Sequence, residues 1–299
     1  MTPRRPDGGR DVPPDDRRDA GGVEPVADAP PGEDADSPPL VGNWLSSLED
    51  RFARCERLAV CLDFDGTLAP IVADPDDASV PARTRDALQR LADREAIDPA
   101  VVSGRALPDL RGRVPVDACA LAGNHGLEID RGGDVWVHPD AEAAREALER
   151  TLEEVETRLD AHPDCWIEDK DVTATVHHRG AGADAATVEG IVEAAVADES
   201  ALEATVGRKI VEIRPTVDWD KGDAVRALTP AGAAAVYVGD DATDEDAFAA
   251  LAALPCGGVG VLVGDRPSAA DYRVHDVDGV RAFLEWLADA PVGPPAPDG

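Results

Sequence analysis

The chain has 299 residues and a formal net charge of −32, with 61 acids against 29 Lys and Arg. Such a length buries a sizeable core and suits two modest domains better than one, while acids spread along the whole sequence exclude duplex nucleic acid as a partner and suit a salt-rich cytoplasm. No apolar run approaches the ~18 residues of a membrane span, and the five cysteines show no paired spacing, so the expectation is a soluble cytoplasmic protein with reduced thiols and no membrane partner.

In chain order, residues 1–42 are rich in Pro, Gly, Asp and Arg and poor in large apolar side chains, which predicts a disordered tail. Order is expected from Trp44, Leu45 and Leu48, which share one face of a short helix. A core strand follows over Leu58–Leu62 and ends in Asp63-Phe64-Asp65-Gly66-Thr67. Pro81 opens a helix with an apolar stripe at Ala87, Leu88 and Leu91. A second strand, Ala100–Val102, runs into Ser103-Gly104-Arg105, and a third, Cys119–Ala122, into Gly123-Asn124-His125-Gly126. Strand, helix, strand in this rhythm predicts a parallel sheet with crossover helices.

Between 130 and 212 the rhythm changes to helix, strand, strand, twice over. Ala141–Leu159 and Thr187–Val196 read as helices, each followed by two short strands, Cys165–Glu168 with Val172–His177, then Leu202–Val206 with Ile210–Ile213. The sheet resumes with a helix near Lys221, a strand over Ala234–Val238 that ends in Gly239-Asp240-Asp241, a strand at Val259–Val263, a short one at Tyr272–Val274, and a last helix. The expected fold is α/β: a Rossmann-like parallel-sheet core from 43–129 and 213–290, an inserted α+β unit over 130–212, and a short tail over 291–299.

Four strand or segment ends thus bring Asp63 and Asp65, Ser103, Lys221 and Asp240 to one sheet edge, a set suited to phosphoryl transfer. An alternating strand sends Asp63 and Asp65 to the same side, so the two carboxylates are expected to converge on one small volume. Asp63 is the candidate nucleophile and Asp65 the general acid and base. Magnesium, a hard cation, would sit on Asp63, the Asp65 carbonyl and Asp240. Thr67, Ser103, Gly104, Arg105 and Lys221 are the candidate phosphate-binding residues. Lysine occurs only at Lys170, Lys209 and Lys221, so each is expected where a compact ammonium is needed.

Blander readings compete. Asp-x-Asp pairs are common in so acidic a chain; a calcium loop fails, because its sixth and twelfth positions from Asp63 are Leu68 and Asp74. Asp244, Glu245 and Asp246 read partly as an acidic helix N-terminus, and His125 as a structural histidine.

Asp63-x-Asp65-Gly66-Thr67, Ser103-Gly104-Arg105, Lys221 and Gly239-Asp240-Asp241-x-x-Asp244 together resemble the haloacid dehalogenase (HAD) superfamily of phosphatases over about 55–290, and the insertion resembles that superfamily's larger cap. Glu168-x-Lys170, Thr173, His177-x-Arg179, Lys209, Glu212, Arg214, Pro215 and Trp219-Asp220-Lys221-Gly222 resemble, more narrowly, the trehalose-6-phosphate phosphatases. That resemblance implies a magnesium-dependent phosphatase acting on a small-molecule sugar phosphate, trehalose 6-phosphate, with Glu168, Lys170 and Glu212 binding sugar hydroxyls. It also implies a trehalose-6-phosphate synthase in the same pathway. Asp171 and His178 stand where the family usually has Gly and Tyr, which bears on sugar choice: sucrose or glucosylglycerol phosphate is the alternative substrate, and a sensor that binds sugar phosphate without turnover is the alternative of another class.

Overall fold

A computed structural model describes residues 37–178, 185–207 and 209–293; Arg179, most of the expected N-terminal tail (1–36) and residues 294–299 lie outside the described residues. The larger of two sheets has eight strands: β1 (Leu58–Leu62), β2 (Ile97–Val102), β3 (Ala120–Gly123), β4 (Glu128–Arg131), β5 (Asp134–Val137), β10 (Ala234–Gly239), β11 (Gly258–Val263) and β12 (Tyr272–Val274). Their order is β12-β11-β10-β1-β2-β3-β4-β5, parallel from β12 through β3 and antiparallel beyond. The chain therefore leaves β1 in one direction and returns to its other side at β10. That reversal opens a crevice at the carboxyl ends of β1 and β10, the place where open α/β sheets bind ligands.

Every residue of β1 is buried, as a strand covered on both faces requires. Leu58, Val60 and Leu62 pack with α1 (Leu45–Phe52), α2 (Ala82–Ala92), α3 (Leu107–Arg113) and α8 (Val277–Asp289). Ala59 and Cys61 face α6 (Lys221–Leu228) and α7 (Asp244–Leu251) in a layer built largely from small side chains. Small residues let those two helices come close. A Cβ on Gly222 would lie 2.5 Å from the Asp246 carbonyl oxygen, so only glycine permits this approach, which sets the first residue of α6 beside the first of α7.

The insertion between β5 and α6 holds α4 (Pro139–Leu159), α5 (Ala185–Val196) and a four-stranded antiparallel sheet, order β6-β7-β9-β8, from β6 (Trp166–Asp169), β7 (Ala174–His177), β8 (Leu202–Gly207) and β9 (Ile210–Pro215). Ala174, Val176, Val211 and Ile213 point from this sheet into the core under α4 and α5. The opposite face carries a cross-strand row, Glu168, Thr175, Glu212 and Thr205. The α/β core with an inserted α+β cap expected from the sequence is the observed architecture.

Four features differ from expectation. The hairpin of β4 and β5 extends the larger sheet through residue 137, although residues from 130 onward were read as insertion, and β9 runs to Pro215 rather than 212 or 213. Gly132 and Gly133, both at positive φ, make its turn. Helix α3 was not anticipated. Pro39 and Leu40, read as tail, pair with Arg273 on edge strand β12, whose free backbone groups accept an extended segment without help from its side chains.

Candidate active site

Asp63 continues β1 by one residue, its amide donating to Val238 O at 2.9 Å. The chain then turns back on itself: Leu68 and Ala69 amides donate to Phe64 O, and Gly66, at φ 84°, donates to Ala69 O. A Cβ on Gly66 would stand 2.2 Å from Asp240 Oδ2, so the turn is pressed against the carboxylate that follows β10.

At the bottom of this crevice Lys221 Nζ donates to Asp63 Oδ1 at 2.9 Å and to Asp244 Oδ1 at 2.7 Å. All three residues are buried. Tyr237 Oη donates to the same Asp244 oxygen at 2.6 Å, and the Asp241 amide to Asp244 Oδ2 at 3.0 Å. Asp63, Asp240 and Asp244 each bring an oxygen to within 4.8 Å of the others. One ammonium thus faces three carboxylates. Burial, with the charges of Asp244 and Asp240, pushes the Asp63 carboxyl well above its ordinary range, against the pull of Lys221. Asp240 is pushed up to about 7 by burial, then by Asp244 and Asp241. For Lys221, burial opposes the charged form, but Asp63 and Asp244 outweigh it and hold the ammonium far above its usual range.

The cluster still lacks positive charge. Asp240 Oδ1 and Thr67 Oγ1 are buried without a hydrogen-bond partner, whereas both Asp244 oxygens are occupied. An all-oxygen donor set with an unpartnered buried carboxylate oxygen fits a hard divalent cation.

Ser103 ends β2 beside β1, buried, and its Oγ accepts from the Arg105 amide at 3.2 Å. The Asp65 side chain, 46% exposed, does not join the buried acids. Past Asp63 the chain turns, so strand alternation no longer governs direction, and the two carboxylates expected on one side part company. Asp65 is gripped by Arg105, whose Nε and Nη2 donate to its two oxygens at 2.7 and 2.8 Å.

The polar face of the small sheet meets the rim of this crevice. Lys170 Nζ donates to Gly104 O at 3.1 Å. Glu168 Oε2 accepts from His177 Nε2 at 2.8 Å, and His177 stacks on Trp166 with ring centroids 4.7 Å apart. The His177 hydrogen bond holds the Glu168 carboxyl below its ordinary value, against burial. Glu212 Oε1 lies 3.9 Å from His125 Nε2. Burial, and then the charges of Lys221, Arg214 and Lys170, lower His125 to about 3, so its imidazole is neutral. Asn124, at φ 50°, ties the two sheets: its Nδ2 donates to Glu128 and to Lys170 O, and its Oδ1 accepts from Thr173 Oγ1.

Sequence reasoning missed Asp244 and Tyr237 as partners of the buried ion pair. The signal available was Asp244 four residues beyond Asp240 in an apolar-strand-to-helix turn. It missed Asn124 and Trp166 as well, and only cross-strand register reveals what they touch.

Replacing Lys221 by Met would leave Asp63 and Asp244 buried without their counter-charge. Urea unfolding should show a loss of about 3–5 kcal/mol, whereas Lys209→Met, in an exposed turn, should change little.

A model of the trehalose-phosphatase family matches residues 61–278. The trehalose-phosphate phosphatase of Mycolicibacterium paratuberculosis is 39% identical over 249 residues, 77% of this chain, and the match spans only 62% of that relative's length. Among solved structures, Aspergillus fumigatus trehalose-6-phosphate phosphatase is similar at 26% identity and a TM-score of 0.61, over 85% of this chain and 99% of that one. The C-terminal domain of the C. albicans trehalose-6-phosphate phosphatase shares the fold, at 24% identity and a TM-score of 0.69, over 85% of this chain and 98% of that one. A family model covering more than half the sequence, and a relative at this identity, lead to one conclusion: the chain belongs to the trehalose-phosphatase family.

Proposed function

We propose that the chain hydrolyses trehalose 6-phosphate to trehalose and phosphate through a phosphoryl group carried on Asp63. The observation that carries this reading is the buried Asp63–Lys221–Asp244 bridge at the sheet reversal, beneath a polar cap face bearing Glu168 and Glu212. An Asp63 oxygen attacks phosphorus while the bond from phosphorus to the sugar oxygen breaks, and that oxygen takes a proton from Asp65. Water then attacks the acyl phosphate and gives a proton to Asp65; phosphate leaves and the Asp63 carboxylate is restored. Lys221 offsets the charge gathered on Asp63 and the phosphoryl oxygens, and the Ser103 and Thr67 hydroxyls donate to those oxygens. Asp63, Asp240 and the Asp65 carbonyl would hold magnesium, which neutralises phosphoryl charge when bound.

The disaccharide offers only hydroxyls to the cap, and ionised groups bind hydroxyls through strong hydrogen bonds that an analogue lacking them cannot satisfy. Glu168, Lys170 and Glu212 are assigned that task. Among the described residues no helix is long and apolar enough to cross a membrane. The net charge of −32 favours a salt-rich cytoplasm, and a synthase that makes trehalose 6-phosphate is the expected pathway partner.

Asp63→Asn should abolish phosphate release from trehalose 6-phosphate while thermal melts remain near parental, and beryllium fluoride should bind the parent but not the variant. Substantial residual turnover would remove the covalent step. Glu168→Ala and Glu212→Ala should lose efficiency on trehalose 6-phosphate by about tenfold or more, yet hydrolyse p-nitrophenyl phosphate nearly as parent; equal losses on both would place these acids in the phosphoryl site. Melting temperature and phosphate release at fixed magnesium should both rise from dilute buffer to molar potassium chloride, where the screening length falls to about 3 Å. A maximum in dilute buffer refutes the salt adaptation alone.

A further inference from the structure

Arg105 follows Ser103 and Gly104 at the end of β2, a position that suggests a phosphate ligand, but its surroundings leave it little to offer one. Nε and Nη2 form a fork on Asp65; Nη2 also donates to Pro75 O at 2.9 Å, and Nη1 to Asp109 Oδ2 at 2.9 Å. Four of the five guanidinium N–H groups are therefore committed. The side chain is 11% exposed and its guanidinium carbon stands 5.1 Å from the centre of the Phe64 ring. To reach a phosphoryl oxygen with a free fork, Arg105 would have to release Asp65.

The grip continues behind it. Asp109 accepts from Arg113 Nε at 2.8 Å on both oxygens, and Arg113 Nη1 donates to Ala78 O at 2.7 Å and Asp76 O at 3.0 Å. Burial opposes ionisation of Asp109, but hydrogen bonds from Arg113 and Arg105 outweigh it and hold its carboxyl below the ordinary value. Residues 105, 109 and 113 follow helical i, i+4 spacing, so α3 and the turn before it present them as one column. Charge alternates along it: Arg113, Asp109, Arg105, Asp65. A carboxylate has about four lone-pair sites, and the Arg105 fork occupies two. The others remain for the proton that Asp65 passes to the sugar oxygen and takes back from a water.

We propose that Arg105 is a positioning residue that, braced by Asp109 and Arg113, aims the Asp65 carboxylate at the leaving oxygen and the attacking water, and that it does not bind the phosphoryl group. This rests on the assignment of Asp65 as proton carrier made above. A guanidinium fork fixes both the distance and the plane of a carboxylate, which an ammonium cannot do.

Steady-state kinetics of the full chain with magnesium separate the two roles. Arg105→Ala and Arg105→Lys should both lower kcat on trehalose 6-phosphate, the former by about a hundredfold, with KM and inhibition by inorganic phosphate within a few-fold of parent. p-Nitrophenyl phosphate releases a phenolate that needs no proton. Its first turnover should stay fast in both variants, giving a burst of nitrophenolate before a slow steady state in which water attack limits. Asp109→Asn, which leaves Arg105 in place and loosens its brace, should show a smaller fall in kcat with unchanged phosphate inhibition; thermal melts confirm that each variant is folded. Near-parental kcat in Arg105→Lys, or weaker phosphate inhibition and raised KM at unchanged kcat in Arg105→Ala, overturns the proposal. Asp65→Asn distinguishes the layers: if it is crippled while the Arg105 variants are not, only the positioning role fails, and if it is fully active the proton-carrier reading fails with it.

Discussion

Three carboxylates around one ammonium, Asp63 and Asp244 buried and Asp240 partly so, are the constraint from which much of this structure follows. Like charges about 4 Å apart repel by roughly 4 kcal/mol at an effective dielectric of 20, and burial adds a desolvation cost to each. Such a cluster persists only where the surrounding fold holds the acids in place and supplies opposite charge from a fixed direction. Lys221 supplies it from the first turn of α6, an otherwise unfavourable place for a cation, and Asp223 and the Asp220 cap answer the helix end instead. The small-residue layer of Ala59, Cys61, Ala224 and Ala235 lets α6 and α7 sit close enough for one ammonium to serve acids from two different segments. A Cβ on Gly222, Gly66 or Gly239 would collide with the neighbouring segment, with Asp246 O, Asp240 and Asp244 respectively.

The second acid of the first motif belongs to a different electrostatic regime. Asp63 is enclosed and answers to Lys221; Asp65 is half exposed and answers to Arg105. Two carboxylates separated by a single residue are thereby given unlike surroundings, the condition under which one can remain a nucleophile while the other exchanges protons. The turn at Phe64–Ala69 achieves the separation, because it ends the strand between them.

What was legible in the sequence was what local pattern determines. An unbroken apolar run closed by an acid identified β1 and Asp63, the same logic found β10 and Asp240, and the scarcity of lysine pointed to Lys170, Lys209 and Lys221, of which Lys221 and Lys170 bridge separate segments whereas Lys209 sits in an exposed turn. What escaped was what only long-range contact determines. Asp244 looks like any acid at a helix N-terminus until Tyr237 and Lys221 are seen around it. Arg105 looks like a phosphate ligand until Asp65, Asp109 and Pro75 are counted on its guanidinium. The β4–β5 hairpin was hidden because charged Glu128 and Asp130 are buried there against Asn124 and Arg111, which breaks the expected alternation of apolar and polar residues.

The small sheet keeps its two jobs on opposite sides. Val176, Val211 and Ile213 secure it to α4 and α5, while Glu168, Thr175, Glu212 and Thr205 stand in a row that the apolar packing does not need. Under the proposed function, a change in that row would alter which sugar hydroxyls are bound without loosening the layer that carries it, and the reacting groups, seated on the other sheet, would be untouched. Such a division lets substrate preference drift by single substitutions over evolutionary time while the machinery for breaking the ester stays inherited whole.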